Sequence, residues 1–217
     1  MIAFITVEPV MPQHRHNWFE GWRLFAVLTV ILTALCLWIA GMRQFEVDGV
    51  RMVIRFTARS SLLFFCLAFG AAALARLWPS AWTQWQRRNR RYLGVTFAAS
   101  HGLHAIAIFC FAAMDPLAFA GATSAASYIF GGIGYAFMIA MAATSFDRTA
   151  EAIGPRAWRM LHLTGGYYLL FQFTVSFGKR IPDMPLYALF LIPLVALFAL
   201  RMISMAQKEA PRTVPAG

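Results

Sequence analysis

Charge is scarce in this chain. Only 13% of its 217 residues are Asp, Glu, Lys or Arg, whereas a soluble domain carries about a quarter. Hydrophobic residues make up 60% and the mean hydropathy is +0.61. That balance excludes a water-soluble globular domain. Cysteine is sparse too. Cys36, Cys66 and Cys110 all fall inside apolar runs and form no C-x-x-C pair, so neither a zinc site nor a disulfide framework is indicated. They read as small buried hydrophobes. No G-x-G-x-x-G sits on a strand–helix unit, so the usual NAD(P)H cradle is missing. The apolar runs lack period-two alternation, which argues against a membrane barrel. The first twenty residues hold Pro9, Pro12, His14, Arg15, His16 and Glu20. They contain no signal-peptide core, so the first apolar run is expected to stay in the mature protein.

What the chain does have is apolar runs of about 20 residues, the length a bilayer demands of a helix. Lipid admits only helices and closed barrels. The expected fold is therefore an all-α integral membrane protein, a single six-helix bundle over 1–217. The spans fall at about 22–41, 60–78, 92–114, 128–144, 157–177 and 186–203. The formal charge of +10 would suggest nucleic acid in a soluble protein. Here the arginines cluster in short loops between apolar runs, so topology and anionic lipid are the better reading. Arg15, Arg23, Arg76, Arg87, Arg88, Arg90, Arg91, Arg148, Arg156, Arg159, Arg201, Lys208 and Arg212 fall on one side of the expected bundle, and Arg43, Arg51, Arg55, Arg59, Lys179 and Arg180 on the other. The first side is expected to be cytoplasmic, with both termini there, in a multi-pass protein of the inner (plasma) membrane. Gly131, Gly132 and Gly134 give the fourth span a small-residue face, suited to close packing or to clearing a flat cofactor.

Two histidines stand out. His104 and His162 each lie inside an apolar run that begins just after arginines. Two spans running in the same direction would then place both imidazoles at similar depth. An ionisable side chain in a bilayer is costly and marks a candidate functional site. Two at one depth can hold one planar metal cofactor, haem being the obvious choice. His101 shares a helix face with His104 at i, i+3. Gly102 beside them, and Gly165 and Gly166 after His162, remove side chains nearby. Trp158 suits the membrane interface, and Pro155 suits the first turn of a helix. The rival reading makes each histidine an interhelical hydrogen-bond partner. His14 and His16 read as surface residues.

The string Arg90-Arg91-x-Leu93-Gly94 with His104 ten residues beyond resembles the ferric reductase-like transmembrane family. So does Thr144-Ser145 leading to Gly154-x-x-x-Trp158-x-x-Leu161-His162. The likeness runs over roughly 55–180 and points most to the small haem-binding membrane subunits of methionine-sulfoxide reductase systems. It implies that His104 and His162 are the axial ligands of a haem b, with His101 as an alternative or supporting group. Family members with two haems carry a second histidine about thirteen residues further along each helix. Here those positions fall near Leu117 and at Val175, so one haem is implied, on the cytoplasmic side. Its propionates would need cations; Arg91, Arg159 and Arg156 lie near the expected depth. Arg55 and Arg59 would instead serve a haem near the outer face.

The functional expectation is electron transfer. A separate flavin-containing reductase, reduced FMN or a membrane quinol (quinone as a further cofactor) would supply electrons. A partner reductase in the periplasm or a metal ion would receive them. The basic run from Arg87 to Arg91 suits an acidic donor protein or a flavin phosphate. The alternative from another class is a haem-free six-helix scaffold or assembly subunit. A small transporter lacks the broken helix pair that transport sites use.

Overall fold

The computed structural model describes residues 18–209; His14, His16, Arg15 and Arg212 lie outside that range. The described chain is helical, with no strand: α1 (Gly21–Gly41), α2 (Val47–Leu77), α3 (Ala81–Met114), α4 (Pro116–Ala122), α5 (Ala125–Ala143), α6 (Asp147–Gly178), a 3-10 turn (Pro185–Phe190) and α7 (Leu191–Glu209). Helices α1, α2, α3 and α5, and the 3-10 turn with α7, are five segments long and apolar enough to cross a membrane. Helix α6 is long enough but more polar, because His162, Tyr167, Tyr168 and Gln172 dilute its apolar face. The expected all-α membrane protein is thus present; the six-span count is not reached on length and composition.

Local chemistry sets the boundaries. The Ser80 hydroxyl accepts from the Thr83 N–H while the Thr83 hydroxyl accepts from the Ser80 N–H, a reciprocal cap that starts α3. Asp115 ends α3, and its carboxylate accepts from the Ala118 N–H to start α4, with Pro116 in the first position. Short α4 is absent from the sequence expectation, since Asp115-Pro116 reads as a stop. Two helices also start earlier than hydropathy suggests. Helix α2 begins at Val47 rather than near 60, and α3 at Ala81 rather than near 92. Charged turns continue a helix as well as apolar ones; hydropathy marks only the lipid-facing portion. In α6 the backbone breaks at Gly154 (φ 77°, ψ 162°), a conformation glycine tolerates, and Pro155 starts the second segment.

The helix ends sort to two ends of the bundle. The Gly21 N–H donates to Asn89 Oδ1 at 2.9 Å. Arg76 at the end of α2 donates to the Ser204 carbonyl near the end of α7 at 2.8 Å. Trp158 Nε1 donates to the Thr144 carbonyl at the end of α5 at 3.0 Å. The start of α1, α3 and α6 and the end of α2, α5 and α7 therefore share one arginine-rich end, called here the basic end. The far end holds the turns 42–46 and 179–184.

Lipid tails are as apolar as leucine, so helices in a bilayer adhere by close packing and polar bonds rather than by hydrophobic exclusion. Both are present. Helices α2 and α3 form the closest pair. Their seam buries Thr57, Ser61, Thr96 and Ser100 completely. The Ser100 hydroxyl meets Ser60 at 2.8 Å and Ser61 at 3.0 Å. A cluster of Phe65, Phe97, Phe173 and Phe177 fills the middle. Helices α3 and α6 do not pack backbone to backbone along their length; rings from both stand between them. Of the α5 glycines, Gly134 packs against Tyr168 and Leu169, while Gly131 and Gly132 have nothing nearby. Only part of the small-residue face is thus used for packing.

A Cβ at Gly166 would run into the Phe69 ring, which is itself held by the Arg201 guanidinium 3.8 Å from its centroid. Gly166→Ala should therefore destabilise the bundle by about 1–3 kcal/mol. A lowered thermal midpoint in detergent checks this, and Gly131→Ala, facing open space, should leave the midpoint unchanged.

Candidate cofactor cavity and histidine sites

The histidines do not meet. The His162 imidazole contacts Thr144, where α5 ends at the basic end. The His101 ring faces Phe173 of α6, with centroids 6.1 Å apart. Phe173 lies eleven residues beyond His162, about 16 Å of helix rise. The His101 carbonyl accepts from Tyr135 Oη, and Tyr135 is likewise nine residues along α5 from Thr144. His104, a turn further on, reaches Ile54 and Thr57 of α2. The expectation of matched depth is therefore corrected. His162 lies near the start of the second segment of α6, His104 opposite its far end, and Phe97, Phe173 and the His101 ring occupy the space between. One porphyrin needs its two axial imidazoles on opposite sides of one plane. His104 and His162 do not fit that role together.

The sequence misleads here because equal spacing from an arginine cluster is not equal depth. Arg91 is thirteen residues before His104, but Arg159 is only three before His162. The arginines of α3 and those of α6 meet the same end of the bundle, so the longer run carries His104 much further along.

At the basic end, α2, α3, α5, α6 and α7 enclose a cavity of about 520 Å³. Its floor is apolar: Phe65, Phe69, Phe97, Met138 and Met141. Gly94 and Ala98 of α3 form a wall bare of large side chains. His162 and Trp158 stand on the α6 side, and Arg87, Arg88, Arg90, Arg91 and Arg159 surround the mouth. Three of the expected site residues, His162, Arg91 and Arg159, are thus brought together; His101 and His104 are not among the lining residues. Trp158, Met138, Met141 and Gly94 complete the cavity. Trp158 reads from sequence as an interface anchor, and the two methionines give no sequence signal, because their orientation depends on how α5 is turned.

Hydrogen bonds hold the His162 and His104 imidazoles. The Thr144 hydroxyl donates to the Ala140 carbonyl at 2.8 Å, so it accepts from His162 Nε2 at 3.2 Å. The Trp158 indole stacks on the His162 ring with centroids 4.2 Å apart, and Arg90 lies over the indole. His104 Nδ1 sits 3.1 Å from the Ile54 carbonyl, which can only accept, so Nδ1 carries a proton. Thr57 Oγ1 lies 3.0 Å away on the same nitrogen. His101 Nδ1 is buried and lacks a hydrogen-bond partner.

Arg91 closes one side of the mouth. Its guanidinium forms a two-pronged pair with the Asp147 carboxylate in the first turn of α6, one arm 3.1 Å long. That pairing ties the start of α6 to α3. Among the described residues no group of three or more His, Cys, Asp or Glu side chains is arranged to hold a metal ion. Compared with protein-family models, curated proteins and solved structures, the chain matches none of them.

The Arg91 hydrogen bonds and charge hold the Asp147 carboxyl below its ordinary value. A depressed acid contributes when ionised. The tie should therefore be whole above about pH 4, the unfolded carboxylate value, and fade as pH falls through the lower folded value. Carbon-13 NMR of the aspartate carboxyls should show the Asp147 titration moving up toward the ordinary range in Arg91→Gln.

Proposed function

We propose that the chain is a membrane redox subunit whose centre is the cavity at the basic end, holding one haem b through His162. The observation that carries the reading is the combination in one cavity of an imidazole wall, an apolar floor and a ring of arginines. Haem requires that combination: a nitrogen ligand, room for an apolar macrocycle, and cations for two propionates. A volume of about 520 Å³ falls within the range of about 300–1,000 Å³ typical of cofactor sites. The residues of this cavity therefore fit one haem held by one histidine, and they do not supply a second imidazole.

Bound haem b would supply one-electron transfer. The protein's contribution follows from its own side chains. His162 would release its Thr144 contact to present Nε2, while Trp158 stacking keeps the ring on the α6 wall. Gly94 and Ala98 leave the facing wall clear. Arg159, with Arg87, Arg88 and Arg90, would neutralise carboxylates at the mouth, and Arg91 would join them by giving up its bond to Asp147. The positive-inside pattern supports a cytoplasmic mouth, in an inner-membrane protein with both termini on the same side. Electrons would come from a flavin-containing reductase, free FMN or a quinol at that face, and pass to a partner reductase or a metal ion.

A second reading is favoured by a specific observation. His104 Nδ1 and His162 Nε2 each donate a hydrogen bond that links neighbouring helices or turns, through Ile54 and Thr144. That is what a haem-free scaffold would use them for.

The visible spectrum separates the two. Protein purified from haem-replete cells should be red, with a Soret band that shifts on dithionite reduction and a pyridine haemochrome of about one haem per chain. His162→Ala should abolish the band, while His104→Ala should keep it. Loss in His104→Ala with retention in His162→Ala would refute the cavity assignment, and a colourless wild-type protein would favour the scaffold.

A further inference from the structure

Of the far-end arginines that the proposed redox function leaves unused, two contact one aromatic ring. Arg59 projects from α2 toward the 3-10 turn, with its guanidinium carbon 5.7 Å from the Tyr187 centroid and 5.4 Å from that of Phe190. Arg180, just past the end of α6, lies over the same Tyr187 ring at 5.6 Å and donates to its hydroxyl at 3.4 Å. Tyr187 is buried, at 4% exposure. Among the described residues neither guanidinium has a carboxylate within ion-pair distance; both ion pairs, Arg88–Glu20 and Arg91–Asp147, lie at the basic end. Asp183, the nearest acid in sequence to Arg180, pairs with neither.

Two cations sharing one neutral phenol repel each other and lack a counter-charge. Near lipid, that arrangement is costly unless an anion completes it. The surroundings say what kind. A cavity of about 290 Å³ adjoins Arg59 and Tyr187, walled by Met184, Pro185, Leu186 and Phe190. Leu186 and Leu189 beside it stand exposed at 76% and 60%. A charged pair set in an exposed apolar surround matches a molecule with an anionic head and apolar tails.

We infer that Arg59 and Arg180, spaced by the Tyr187 ring, bind the phosphate of an anionic phospholipid in the far leaflet. The guanidiniums take the phosphate oxygens in fork geometry. The phenol holds the two forks apart without neutralising them. The acyl chains lie along Met184, Leu186 and Leu189. The site also pins the connection between α6 and α7 to α2, a connection that otherwise rests on ring contacts among Phe177, Tyr187 and Phe190.

The test uses the full-length purified protein, delipidated in a neutral detergent and titrated with dioleoylphosphatidylglycerol, with native mass spectrometry counting bound lipid. One phosphatidylglycerol should bind tightly, and the zwitterionic phosphatidylcholine should bind far more weakly. Arg59→Gln and Arg180→Gln should each weaken phosphatidylglycerol by about fivefold, and together by about 25-fold. Lys179→Gln, beside the site, should bind like the wild type. Tyr187→Phe, which keeps both guanidiniums, should also retain binding, so the inference stays testable if the double variant fails to fold. Equal affinity for the two lipids, wild-type binding by the double variant, or loss of binding in Tyr187→Phe would overturn it. Displacement of the lipid by millimolar inorganic phosphate would overturn it as well, by making this a site for soluble anions. The readout involves no haem, so it stands or falls apart from the redox reading.

Discussion

The polar seam between α2 and α3 fixes the geometry of everything else. Hydrophobic exclusion does not hold helices together in lipid, so rotation about each helix axis must be set by bonds that work in only one orientation. Ser60, Ser61 and Thr57 of α2 meet Ser100 and His104 of α3 across a buried interface. Once those bonds form, α3 cannot turn. Gly94, Phe97 and Ala98 are then presented to the interior, and the arginines before them to the mouth of the basic-end cavity. His104 is oriented in this seam through its Nδ1–H, which gives a costly imidazole at that depth a polar partner.

The two ends of the bundle then divide the labour. At the basic end, α3 and α6 stand apart, and the gap stays open beneath a ring of arginines. Further along, the same gap is filled by Phe97, Phe173 and the His101 ring. That open space has an apolar floor and a charged mouth. The aromatic plug beyond it seals the cavity from the far side. Arg91 and Asp147 fasten the rim, and the break at Gly154 lets the first turns of α6 lie over it rather than continue the axis of the span. At the far end the arginines serve the lipid surface instead. Arg59 and Arg180 each contact the Tyr187 ring, and an apolar groove opens beside Arg59.

The membrane character, the helical class and most span positions are legible in the residues, because run length and charge scarcity leave few alternatives. The arginine pattern also marks which helix ends gather together. The site is half legible. His162, Arg91 and Arg159 do share a cavity, as the motif order suggests. The pairing of His104 with His162 does not hold, since distance along a helix fixes depth and the two runs differ by ten residues between arginine and histidine. The methionines and the aromatic plug carry no local signal, because their roles arise only when separate helices meet.

Sequence by itself determined that this chain lives in lipid, that it is helical, and that most of its cations gather at one end, for these follow from transfer energies and backbone hydrogen bonding, residue by residue. Tertiary structure alone decided which imidazole faces a cavity and which one is tied into a seam. Depth and rotation are properties of helix pairs, and a hydroxyl on α2 or the end of α5 settles them from across the interface.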